Sequence, residues 1–164
     1  MATLLDLVAR NALFKIDPAL DGAGQEFRCI YAAPRLKDWL QGDLLALEST
    51  WKIEATPAEQ VAELVEHFCS GETLCYEWQF KPLTHIRDGV WELKTADIRI
   101  FGWFWKKDWF IGVAANPKDH IKRHNLYNGH TNEVERFRCA LDLDEPKFVR
   151  GDNPHDVVSD FSYP

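Results

Sequence analysis

Apolar side chains recur along this chain with two different periods, and the switches between them mark its elements. Leu4, Leu7, Val8 and Ala12 fall at helical spacing between Thr3 and Lys15, with Thr3 as N-cap and Asp6 three residues on. The stretch DPALDGAGQ, with Pro18, Gly22 and Gly24, breaks that period and is the best linker in the chain. Phe27 to Ala33 is a short β-rich run and predicts a strand. Pro34 suits the first turn of a helix whose stripe is Leu36, Trp39, Leu40, Leu44 and Leu47, and Gly42 divides that stripe. TPAEQVAELVEHFCSG is the plainest helix: Thr56 caps it, Pro57 opens it, Glu59 completes a capping box and Gly71 stops it. Val61, Leu64, Val65 and Phe68 line its inner face.

TLCYEWQFKPL reads as a strand or as a loop leading into a sheet. Period two then takes over in three runs, Val90 to Thr95, Ile98 to Lys106 and Trp109 to Ala115, joined by the tight connections TAD and KKD. Connections this short predict an antiparallel meander. In the middle run Asp97, Arg99, Phe101, Trp103 and Trp105 share one face, and Ile98, Ile100, Gly102 and Phe104 the other. Both faces are largely apolar, so the strand is either covered on both sides or exposes one side to a partner. Asn116-Pro117 ends the third strand, a short helix follows to about Asn125, and Asn128-Gly129 predicts a turn. NEVERFRCAL predicts a last helix on Val134, Phe137 and Leu141. The rest, with Pro146, Pro154 and Pro164, predicts an extended, partly mobile tail.

Charge sharpens this picture more than bulk composition does. At 164 residues, 46% hydrophobic and 27% charged, the chain has ordinary globular material for one domain. Its net charge of −7 argues against binding nucleic acid by overall attraction. Residues 81–125, however, carry nine Lys and Arg against five Asp and Glu, flanked by acidic segments on both sides. If any face binds an anion, it comes from that segment. The same segment holds seven aromatics between Val90 and Phe110. The four cysteines form no CxxC pair and read as reduced, structural thiols. Without a leader or an apolar span the expected location is cytoplasmic, with no membrane partner.

The residues Gly89, Trp91, Glu92, Leu93, Lys94 and Arg99, in DGVWELKTADIRIFGWF, resemble the signature of the RelE/HigB-like toxin superfamily, most closely its phage-derived branch. FRCIYAAPRLKDWLQG is similar to that family's first strand and helix. The resemblance covers roughly Phe27 to Lys122. It implies an α+β fold, a small twisted antiparallel sheet built from a strand, a helical hairpin and a three-stranded meander, with helices packed on one side. It implies three parts: an N-terminal helical extension (1–24), a RelE-like domain (25–142) and an acidic C-terminal tail (143–164). It also implies ribosome-dependent cleavage of mRNA by an endoribonuclease, within a toxin–antitoxin system or a prophage, held in check by an antitoxin. No DNA target and no cofactor are expected.

Cleavage at a 2′-hydroxyl needs a base, an acid and cations that stabilise the charge at phosphorus. By resemblance Arg99 is the strand arginine facing phosphate, Lys94 stands near it, and Lys118, His120, His124 and Tyr127 lie where last catalytic side chains are kept. The plainer readings are that Arg99 pairs with Glu92 or Asp97 across the hairpin and that Tyr127 is a packing residue. His120 and His124 have the i, i+4 spacing of metal ligands, but His130 is the sole nearby third donor and no metal is expected. The other functional class is a non-catalytic phage or prophage protein that binds a host or phage protein through Phe101, Trp103 and Trp105, aromatics being favoured at binding hot spots.

Overall fold

Strands that are apolar on both faces demand cover on both, and the chain supplies it. The computed structural model describes residues 1–20 and 24–164; Gly22 of the expected linker lies outside them. In chain order the elements are α1 (Leu4–Ala9), β1 (Phe14–Lys15), β2 (Cys29–Ala32), α2 (Pro34–Gln41), α3 (Pro57–Cys69), β3 (Leu74–Cys75), β4 (Phe80–Pro82) and β5 (Trp91–Lys94). They continue with β6 (Ile98–Lys106), β7 (Trp109–Pro117), α4 (Lys118–His124), α5 (Tyr127–Ala140) and β8 (Phe161–Ser162). The fold is α+β.

The main sheet has six strands in the order β1-β2-β7-β6-β5-β4. The meander β5–β6–β7 is antiparallel as expected. The sheet as a whole is mixed, because β2 runs parallel to β7, with Cys29 opposite Trp109 and Ala32 opposite Gly112. This corrects the expectation of a purely antiparallel sheet. The chain returns from α2 and α3 to the far edge of the sheet, so the meander closes back on β2 in the same direction. β3 and β8 form a separate two-stranded parallel pair.

The expectation of helices on one side is also corrected. One core joins Leu36 of α2 and Val61, Leu64, Val65 and Phe68 of α3 to Ile98, Ile100 and Phe104. A second, on the opposite face, joins Leu4 and Leu7 of α1, Ile121 of α4 and Val134 of α5 to Phe101, Trp103 and Ile111. The alternation along β6 is the one the period-two pattern predicts. Covering both faces leaves β6 no open sheet surface.

Local chemistry explains the ends. Thr3 and Asp6 form a reciprocal capping box at α1. Asp6, bonded by the backbone and hydroxyl of Thr3, is held below the usual carboxylate range. Thr56 caps α3 by accepting from the Glu59 N–H at 3.2 Å. Asn125, at φ +52°, ends α4 in the left-handed region, so the turn comes three residues earlier than Asn128-Gly129, which lies inside α5.

The terminal segments are integral to the domain, contrary to the expected mobile tail. The Ala2 N–H donates to Asp142 O at 2.8 Å, and the Asp144 N–H to Ala2 O at 2.9 Å. Val157 and Val158 are buried in the α3 core. Arg28, fully buried, donates to the carbonyls of Phe68, Glu72 and Asp160 and lies 3.3 Å from the Asp108 carboxylate. The cysteines are all free: Cys69 is buried, Cys29 and Cys75 are half-buried and Cys139 is exposed. Burial pushes the Cys29 thiol up to about 11 and the Cys69 thiol up to about 12.

Candidate anion-binding site

Strand register brings charge together on the face covered by α4 and α5. Directly paired residues of an antiparallel sheet point to the same side. One row across the sheet is Lys81, Glu92, Phe101 and Ala114; the next is Lys94, Arg99 and Asn116. The first residue of α5, Tyr127, packs edge-on against Phe101 at 5.7 Å, and burial pushes its hydroxyl up, with Glu92 raising it further and Arg99 opposing.

Glu92 is only 3% exposed, and its Oε2 has no hydrogen-bond partner. Burial holds its carboxyl above the usual range, with Arg99, Lys94 and Lys81 pulling the other way. Arg99 is buried as well; its Nη1 donates to the carbonyls of Thr95 at 2.6 Å and Ile98 at 3.0 Å. It therefore reaches Glu92 through the field rather than by a tight ion pair. Asp97 turns to the opposite face, where it accepts from Ser49, Thr50 and Gln60. Those bonds hold its carboxyl below the usual range against burial, and they end the reading that Arg99 pairs with Asp97.

Cations gather round this pair. Burial lowers the Lys94 ammonium, and Arg99, Lys81 and Lys118 lower it further. Burial also lowers Lys118, with Lys122 and Arg99 adding to the effect and Asp119 and Asp97 opposing it. Mutual depression of this kind is the mark of like charges held close. Register thus sets Lys81, Lys94 and Arg99 beside one buried carboxylate, with Lys118 next along the sheet end, a concentration of positive charge that suits a phosphate.

Of the residues that the sequence singled out, Arg99, Lys94 and Tyr127 converge. His120 and His124 do not. They lie tilted against each other at 4.6 Å on the exposed side of α4, about 200–240° around the helix from Lys118. Among the described residues no group of three His, Cys, Asp or Glu could hold a metal ion. The proposed partner face is corrected too: Phe101 and Trp103 are completely buried, and Trp103 Nε1 donates to Lys147 O at 2.8 Å. Only Trp105 is partly accessible, edge-on to Trp109 with Lys106 over its ring. His130, stacked on Phe101 at 4.9 Å, shares a hydrogen bond between its Nε2 and the Asn116 amide, so it serves the floor of the site rather than a metal. Lys81, Lys122 and the buried state of Glu92 escaped the sequence pattern; the alternation along β4 and β5 is the signal that places Lys81 beside Glu92.

No protein-family profile matches the chain, and no curated protein and no solved structure is significantly similar to it. Among the described residues no helix is long and apolar enough to cross a membrane.

Proposed function

We propose that the chain binds RNA by its phosphodiester backbone and cleaves it, as an endoribonuclease of the RelE/HigB-like toxin class. The observation that carries this reading is the placement of Lys81, Lys94 and Arg99 around the buried Glu92 on one sheet face, under Tyr127. The motif resemblance of residues 89–99 supports it independently. In this reading the cations neutralise phosphate charge, which builds up in the transition state. Glu92, its affinity for a proton raised by burial, takes the 2′-hydroxyl proton as the 2′-oxygen attacks phosphorus, and Tyr127 gives a proton to the 5′-oxygen that leaves. Ribosome-bound mRNA and a restraining antitoxin are the partners that belong to this class.

Controlled induction of the chain in a bacterial culture tests the proposal, with growth and mRNA integrity followed beside Arg99→Ala and Glu92→Gln. Arrest with mRNA cleavage, lost in both variants while the variants remain folded, is the expected outcome. Normal growth with intact mRNA in the unmutated culture overturns it.

A further inference from the structure

The cationic cluster does not end in polar surface. Trp51, 56% exposed, lies under the Lys118 ammonium at 5.1 Å. Trp78, 70% exposed, lines an open cleft of about 400 Å³ together with Lys94, Ile53, His67 and Gln79. The Lys94 Nζ donates to the carbonyl of Glu77, the neighbour of Trp78, at 2.8 Å. Lys94 is directly paired with Arg99, and Arg99 acts on Lys118. Around the β5–β6 turn the surface therefore runs indole, ammonium, ammonium, indole, with the Arg99 guanidinium buried beneath it. The loop that carries Trp51 runs on into the cleft, where Ile53 and Ala55 form part of the wall.

Two exposed indoles beside ammonium groups present flat faces that a partner's rings would cover. A polymer that alternates anions with flat apolar rings fits this surface, and a single-stranded nucleic acid is such a polymer. A duplex is not, because its bases hide their faces in the stack. The cleft also offers donors to a base edge. Gln79 spends its side-chain oxygen on the Cys75 N–H at 2.7 Å, which leaves its amide N–H groups free to turn outward.

We infer that this band is a track for single-stranded RNA, with Trp51 and Trp78 as stacking platforms for bases on either side of a phosphate held between Lys94 and Lys118. The inference rests on the RNA reading above but not on cleavage. A fluorescein-labelled oligouridylate with 2′-O-methyl sugars tests binding alone, because it has no nucleophilic hydroxyl to be cut. The full chain should bind it, measured by anisotropy. Trp51→Ala and Trp78→Ala should each weaken binding roughly 5- to 150-fold, whereas Trp→Phe at either position should recover most of it. Lys118→Ala should flatten the dependence on salt, and the alanine changes at the tryptophans should leave that slope alone. The corresponding duplex should bind no better to the unmutated chain than the single strand binds to the double Trp variant. Equal affinity in the Trp variants, or no binding by the unmutated chain, overturns the inference. Cleavage in culture with Trp variants that bind normally removes the platforms and leaves the nuclease. Trp-dependent binding without cleavage removes the nuclease and leaves the track.

Discussion

Glu92 is a carboxylate that the fold keeps from water without giving both its oxygens a partner. Its raised affinity for a proton has a definite sign for stability. The folded chain holds the proton at a pH where the unfolded chain releases it, so stability falls as pH rises from the ordinary Glu range through the raised value. Glu92→Gln should therefore raise the melting temperature at about pH 7–8 and change it little below about pH 4, read from melts across that range. Retaining such a residue at a cost to stability fits a working group better than a packing one. The aromatics behave differently. Trp103→Ala should cost about 3–5 kcal/mol in denaturant unfolding, as full burial and the bond to Lys147 demand, and Trp105→Ala distinctly less. The pairing of Lys94 with Arg99 was legible in the sequence because the tight TAD connection sets the two strand ends opposite each other. The seclusion of Glu92 was not, because α5 creates it by folding back across more than thirty residues of chain.

At the scale of elements, the meander and the helices α2, α3 and α4 were readable from period, caps and tight turns, all of which are local. The parallel contact of β2 with β7 was not, since nothing within either strand states its partner. One residue joins the two kinds of information. Gly102 sits at a register shift between β6 and β7, and a Cβ there would collide with the Ile111 carbonyl and come within 2.9 Å of Gly112 Cα. Both obstacles are backbone, so neither can swing aside. Gly102→Ala should cost roughly 1–3 kcal/mol and speed hydrogen exchange along β6 and β7 before it affects α1. Gly129→Ala, with open space around the site, should be tolerated or slightly stabilising by helical propensity.

Across the whole molecule, the segment beyond Asp142 shows why composition misleads. Acidic and proline-bearing, it reads as a tail, yet its few apolar residues are the ones the fold uses. Val149 donates its N–H to Phe104 O, Asp108 N–H reaches Val157 O, and β8 extends β3. Removing residues 153–164 should strip Val157 and Val158 from the core and leave Arg28 without one of its three carbonyls. The expected result is a large loss of thermal stability, and a truncated chain that melts like the full one would contradict this packing. Arg28→Met tests the same clamp from its other side: it takes the donor from the carbonyls of Phe68, Glu72 and Asp160 and leaves Asp108 unpaired, so it too should lower thermal stability.

The four thiols, finally, amount to a chemical clock. Only the thiolate reacts with an alkylating reagent, so Cys139 at the surface should be labelled within the first moments of a pulse. Cys69, fully enclosed and with its proton held to about 12, should wait for the chain to open. The lag between the two labels in a mass spectrum would then time the opening of the α3 core in the intact protein, with no probe attached and no denaturant added.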